Sequence, residues 1–152
     1  MTTQHLTSLD KVLAFLADPA THGAPVERID THAAHVFLSG HRALKIKRAN
    51  CFPFLDYSTL AKRKAACEEE ITINRRFAPL IYRSAVPITQ SEDSCLHIDV
   101  DGTPVEWAVG MTRFDERQTL DHIAQAGPLD PHLVTTIADV IAATQSAASV
   151  TP

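Results

Sequence analysis

Hydrophobic positions at the start of the chain recur at helical spacing. Leu6, Leu9, Val12, Leu13 and Leu16 follow Thr7 and Ser8, either of which can cap the run, and Pro19 stops it. From Val26 to Arg48 the period shortens to that of strands. Val36-Phe37-Leu38 and Ala43-Leu44-Lys45-Ile46-Lys47 flank a Gly-containing connection, Ser39-Gly40-His41, and Thr31 to His35 reads as a bend into the second strand of three. Asn50 to Tyr57 is irregular. A long helix from about Thr59 to Phe77 follows, with Ser58 or Asp56 as its cap and Pro79 as its stop. Three further strands are predicted over Tyr82 to Ile88, Cys95 to Val100 and Val105 to Met111, the last two joined by the turn signal Asp101-Gly102. Beyond Arg113 the pattern is helical again, over Thr119 to Ala126 and from Pro131 to about Ala148, with a break at Gly127-Pro128. Leu133, Ile137, Val140 and Ile141 share one face of the last helix.

Composition narrows the classes. With 152 residues, 45% of them hydrophobic, the chain can bury a core as one domain or as a small lobe with an appended piece. A formal net charge of −4 argues against a nucleic-acid partner, since basic residues cluster only locally, at Arg42 to Arg48, Lys62 to Lys64 and Arg75-Arg76. Cys51, Cys67 and Cys95 form no C-x-x-C pair, which fits reduced thiols. The start lacks the basic and apolar regions of a signal peptide, and no apolar run approaches the ~20 residues of a membrane helix. The expectation is a soluble, cytoplasmic protein without a membrane partner.

One pair of residues carries chemistry. On a strand, Ala43, Lys45 and Lys47 point to one face while Leu44 and Ile46 point to the other. On the long helix, at about 100° per residue, Glu70 falls among Ala66, Cys67, Ile73, Asn74 and Phe77, near the centre of the apolar stripe. A carboxylate there is costly unless a cation meets it. Either a lysine on the facing sheet satisfies it, or Glu70 lies at the stripe's margin and reaches water, or Arg63, two turns earlier, partly offsets its charge. A strand lysine held by a helix glutamate is how kinase-like folds fix an ammonium against nucleotide phosphates. Lys45 and Glu70 are therefore the candidate phosphate clamp, with Lys47 and Glu69 as fallbacks.

Other groups point less clearly to chemistry. His32, His35 and His41 gather around the first hairpin, but zinc needs at least a third protein ligand and no Cys pair supports one, so no metal site is assigned. Asp99-Val100-Asp101-Gly102 fails as a calcium loop because its Gly comes too early and no Glu occupies the twelfth position. Cys67, on a stripe expected to be buried, reads as core. Met111-Thr112-Arg113-Phe114, followed by Asp115 and Glu116, passes from strand to helix, where a kinase-like fold has its hinge.

Taken jointly, four segments resemble the start of a bacterial family known as aminoglycoside phosphotransferase-like. They are Thr31 to Leu38, Ala43 to Arg48, Phe54 to Leu60 and Cys67 to Pro79, and Val105 to Phe114 resembles the family's strand-and-hinge segment. In that family the kinase-like domain is often fused to a C-terminal P-loop domain. The resemblance implies an α+β, protein-kinase-like N-terminal lobe over residues 1–112: about five mostly antiparallel strands and one long packed helix. Residues 113–152 would then hold the hinge and the first helices of a second lobe. It implies ATP as cofactor, with Lys45 on the phosphates, Glu70 orienting Lys45, and Met111, Arg113 and Phe114 at the hinge beside Ala43, Met111 abutting the adenine. The Thr31 to His35 segment would stand in place of the phosphate-covering loop, although it contains no Gly.

The catalytic-loop Asp and the Mg-binding Asn and Asp of kinase-like transfer lie in the larger second lobe, and no such motif occurs before Pro152. No P-loop signature occurs either, and Ala142-Ala143-Thr144-Gln145 stands where the family usually has an aromatic residue and a histidine. The expectation is a truncated transferase lobe with no catalytic residue of its own, whose partners are nucleotide and the missing lobe or P-loop domain. The alternative is a non-catalytic interaction module that associates, with itself or another protein, through uncovered apolar surface.

Overall fold

The computed structural model describes residues 8–148, so Leu6 and the candidate cap Thr7 lie outside the described residues. The chain divides after Phe114 into two compact units. The first is α+β, built on a curled six-stranded antiparallel sheet. It opens with helix α1 (Ser8–Ala17). Pro19 does more than stop that run, because it starts a one-turn helix α2 (Pro19–His22) whose Asp18 cap accepts the Ala20 N–H.

Strands β1 (Val26–Asp30), β2 (Ala34–Ser39) and β3 (Arg42–Lys47) form an antiparallel meander. The β2–β3 turn is the residue pair Gly40-His41, with Gly40 at φ 54°, a left-handed value that disfavours a side chain. The stretch expected to be irregular holds a separate small hairpin of β4 (Cys51–Phe52) and β5 (Leu55–Asp56), with Phe52 and Phe54 stacked at 5.9 Å. Helix α3 (Leu60–Asn74) is shorter than the apolar pattern suggests. Its cap is Thr59, whose Oγ1 accepts the Lys62 N–H, while Asp56 is occupied by Ser58 and the Lys62 ammonium.

Strands β6 (Tyr82–Gln90), β7 (Leu96–Ile98) and β8 (Thr103–Thr112) complete the sheet in the order β1-β2-β3-β8-β6-β7. This corrects two expectations. The sheet has six strands rather than five, and Asp101-Gly102 does not close a hairpin, because β7 and β8 flank β6 and are not partners. The hairpin lies one turn earlier, between β6 and β7, where Ser91 exchanges hydrogen bonds with Cys95 and Ser94 and where Ser94 takes a positive φ. Residues 99–102 then pass the end of β6, where the Thr89 hydroxyl holds the Val100 carbonyl at 3.1 Å. The inner position falls to β8 because Ala108 and Val109, adjacent and on opposite faces, are both fully buried.

The sheet is covered on both faces. On one, Val12, Leu13 and Leu16 of α1 pack with Phe37, Leu44, Ile46, Val86, Ile88 and Ala108. On the other, Cys67 and Ile71 of α3 pack on Val109, with Trp107, Met111 and Tyr82 around them. Each fully buried large aliphatic or aromatic side chain contributes about 1.5–3 kcal/mol, so the α1 face supplies most of the apolar stabilisation. The stripe α3 turns inward is Arg63, Cys67 and Ile71. Ile73 and Phe77, expected on it, are 51% and 59% exposed. Glu70 therefore lies at the margin of the buried stripe rather than near its centre.

In the second unit a 3-10 turn (Glu116–Gln118) precedes α4 (Leu120–Ala126) and α5 (Pro131–Ser146), the latter capped by the Asp130 carboxylate. Among the described residues neither helix buries a side chain, and Val134, Val140 and Ile141 are exposed on α5. Among those residues, too, no helix is long and apolar enough to cross a membrane.

Gly110 on β8 is a packing requirement. A Cβ there would stand 2.7 Å from Val86 Cγ2 and 3.1 Å from the Ser84 carbonyl oxygen. Gly110→Ala is expected to lower stability by about 1–3 kcal/mol, read as a lower urea midpoint at unchanged slope; an unchanged midpoint would show that the sheet yields freely at this position.

Candidate functional site

The site grows from strand alternation. Leu44 and Ile46 join the α1 core, which leaves Ala43, Lys45 and Lys47 facing α3. Directly opposite on β8, Met111 partners Ala43 and Val109 partners Lys45, so one small surface runs from Met111 to Lys47 beneath the helix.

Lys45 Nζ donates to Glu70 Oε1 at 2.7 Å, and Lys47 Nζ donates to Glu70 Oε2. One carboxylate thus holds two ammoniums, and the fallback lysine is a second partner rather than a substitute. Glu69 is exposed and takes no part. The two lysines differ in access, the Lys45 side chain being 28% exposed and that of Lys47 8%. Lys47 also lies 5.3 Å from the Tyr57 ring centroid, so its charge is enclosed on two sides. Asn74 Nδ2 donates to the Glu70 carbonyl at 2.8 Å and stiffens the helix at this point.

Burial works against ionisation of Glu70, yet the hydrogen bonds from Lys45 and Lys47 outweigh it and hold the carboxyl below its ordinary value. Burial likewise opposes the Lys47 charge, and the bond to Glu70 overcomes it and raises the ammonium pKa. Burial pushes the Cys67 thiol up to about 12. With its Sγ 3.8 Å from the Trp107 carbonyl, Cys67 is a packing residue, and a protonated thiol is no nucleophile.

A second ion pair on α3 was not foreseen. Arg63 Nε donates to Glu106 Oε1 at 2.8 Å and Oε2 at 3.0 Å, and its Nη1 donates to the Tyr57 carbonyl at 3.0 Å. Arg63 is thus bound to Glu106 and does not offset Glu70. Glu106 is fully buried, two residues beyond the last β3–β8 partners, Ile46 and Ala108. Its signal in the sequence was its isolation, the sole charge in the strand Thr103–Thr112. On the exposed side of the helix Lys64 lies over the Trp107 ring at 4.8 Å.

The remaining candidates separate. Arg113 Nη2 donates to Glu27 on β1 at 2.9 Å, and Arg113 N–H to the His41 carbonyl, so its guanidinium is committed to the sheet edge. Phe114 is exposed. The bend before β2 is closed by Thr31, whose hydroxyl accepts the Ala34 N–H, at the end of the sheet where Lys47 pairs with Ala34. His35 is buried with Nδ1 2.7 Å from Asp30, which also binds Arg28 and is held down to about 2. His32 and His41 flank opposite ends of β2, and among the described residues no three potential ligands gather for a metal. All three cysteines are free, with Cys51 and Cys95 exposed.

No protein-family model matches the chain. It is 30% identical over 126 residues to the uncharacterized protein Rv2004c of Mycobacterium tuberculosis and, equally, to the uncharacterized protein Mb2027c of Mycobacterium bovis. The match takes in 83% of this chain and 24% of each relative. The chain thus spans about a quarter of the length of the curated relatives it matches. No solved structure matches.

The two ion pairs carry different expectations. Glu106→Ala leaves a buried guanidinium without its carboxylate and should cost about 3–5 kcal/mol in chemical denaturation; a loss under 1 kcal/mol would mean that water reaches Arg63. Glu70 has a folded pKa below its unfolded 4.5, so its contribution is complete above pH 4.5 and is lost as pH falls through the folded value. Lys47 has a folded pKa above 10.5, so its contribution is complete below pH 10.5 and is lost as pH rises through the folded value. Glu70→Gln is expected to cost about 3 kcal/mol on the plateau, to remove the acid limb, and to reverse the alkaline one, because burial alone then lowers the Lys47 pKa; limbs that persist unchanged in the variant would place the titration elsewhere.

Proposed function

We propose that this chain is the nucleotide-binding N-terminal lobe of an aminoglycoside phosphotransferase-like small-molecule kinase. The observation that carries the reading is the 2.7 Å bond from Lys45 to Glu70. In protein kinases the lysine of the third strand pairs with a glutamate of the helix that follows, and that pair must be in place for phosphoryl transfer. Here Lys45 lies on the third strand and Glu70 on the first long helix after it.

The residues present suit ATP. Two ammoniums against one carboxylate leave a net positive charge, and Lys45, the more exposed of the two, is the cation a phosphate reaches first. Ala43 and Met111 face each other two residues along the same surface, roughly 7 Å from Lys45 at strand spacing. A small and a flexible apolar side chain at that distance suit adenine while the phosphates rest on Lys45. In this reading the Arg113 guanidinium is committed to Glu27 and its N–H to the His41 carbonyl, which leaves the Arg113 carbonyl and the backbone of Phe114 for the nucleotide. When bound, ATP supplies the phosphoryl group. This chain's residues bind and orient it, and Mg ligands and the catalytic carboxylate belong to a second lobe.

One observation favours the interaction-module reading instead. Val134, Val140 and Ile141 expose an apolar face on α5, and a well-defined dimer by light scattering that forms without nucleotide affinity would support it.

Titration of the full chain with a non-hydrolysable ATP analogue, followed by amide NMR, tests the kinase reading. Weak binding is expected, with shifts at Ala43, Lys45 and Met111, no phosphoryl transfer in single-turnover assays with Mg, and at least a tenfold loss in Lys45→Ala, about 1.4 kcal/mol. Absence of shifts at millimolar analogue, or affinity unchanged in Lys45→Ala, would overturn it.

A further inference from the structure

The sheet face opposite Lys45 and Glu70 carries a cavity of about 500 Å³ that the kinase reading does not use. It is bounded by α1 and α2, the β2–β3 turn and β7, and its volume lies within the range of small-molecule sites. Phe15, Leu96, Ile98 and Val100 supply apolar walls, and Ser39, Arg42, His22 and His97 add polar groups.

Two of the polar groups lack partners among the described residues. Ser39 is buried, and among the described residues its hydroxyl has no hydrogen-bond partner, an uncommon state for a buried oxygen. Directly across the β2–β3 pair, Arg42 is exposed, and among the described residues no group partners its guanidinium. Other arginines on or beside the strands are committed, Arg28 to Asp30, Arg83 to Thr112 and Arg113 to Glu27, whereas Arg48, just after β3, also keeps a buried Nε without a partner among the described residues. The histidines are half committed. His22 Nε2 bonds the Leu16 carbonyl at 2.9 Å and His97 Nε2 meets the Ser91 hydroxyl at 3.2 Å.

A guanidinium offers a planar fork of donors that matches a carboxylate, and apolar walls favour a ligand with an apolar body. We propose that this cavity binds a small organic carboxylate, its apolar body against Phe15, Leu96 and Ile98 and its carboxylate between Arg42 and Ser39. A neighbouring cavity of about 220 Å³ shares Arg42, but it is smaller and sets Asp99 against Arg83, so the carboxylate is placed on the Ser39 side, where the unpartnered hydroxyl lies. The site is independent of the nucleotide reading, since it occupies the other face of the sheet and uses none of the same side chains.

Amide NMR of the full chain with benzoate and octanoate as probes tests it, with benzyl alcohol and inorganic phosphate as controls. Shifts are expected at Ser39, Gly40, Arg42 and Leu96 to Ile98, with Arg42→Gln, a change at an exposed position, weakening both carboxylates at least tenfold. Benzyl alcohol and phosphate should each bind at least tenfold more weakly than benzoate. The proposal fails if millimolar carboxylate causes no shifts or shifts elsewhere, if benzyl alcohol or phosphate binds as well as benzoate, or if Arg42→Gln binds unchanged while its amide spectrum remains that of the folded chain.

Discussion

Helix α3 carries an arginine and a glutamate to a sheet that is buried beneath it, and each is tolerable there only because the opposite charge is waiting. Its apolar contribution is small, with Cys67 and Ile71 alone among its apolar residues buried. Arg63 on Glu106 and Glu70 on Lys45 and Lys47 therefore set where along the sheet the helix can sit. An apolar helix can slide by a residue and still bury methyl groups. A helix docked by two ion pairs seven residues apart cannot, because a shift leaves buried charges unpaired, at a cost of several kcal/mol.

The same constraint gives the candidate site its form. Glu70 is shared, so its two lysines need not do the same work. Lys47 is enclosed by Glu70 and Tyr57 and anchors the carboxylate permanently. Lys45 keeps a quarter of its side chain in solvent, free to meet a ligand without leaving Glu70 unpaired. A cluster of this kind can hold a cation ready in a partly desolvated place, where its charge counts for more than in water.

Much of this was legible in the residues. Alternation along Ala43 to Lys47 assigned the lysines to one face and Leu44 and Ile46 to the other, which is how they pack. Helical phase selected Glu70 over Glu68 and Glu69, because only Glu70 lay toward the packed side. The phase was nevertheless off by part of a turn. Counting Ile73 and Phe77 as core drew the stripe toward them, whereas the structure turns Arg63, Cys67 and Ile71 inward. Hydrophobicity alone cannot show that an arginine lies on a buried line when its partner Glu106 is more than forty residues away. Asp101-Gly102 misled for a related reason. A turn signal reports local backbone preference, and strand pairing is decided by which strand can be buried on both faces, here β8.

The sequence by itself determined the kinds of element, the α+β class, the two faces of the third strand and the pairing of a lysine on that strand with Glu70. These are local properties, set by side-chain period and by the cost of an unpaired charge. Only the tertiary structure decided the strand order, the second lysine on Glu70, the buried Arg63–Glu106 pair and the unpartnered Ser39 and Arg42 on the far face. Each of those depends on which distant segments meet, and a long-range contact leaves no period in the chain from which it can be read.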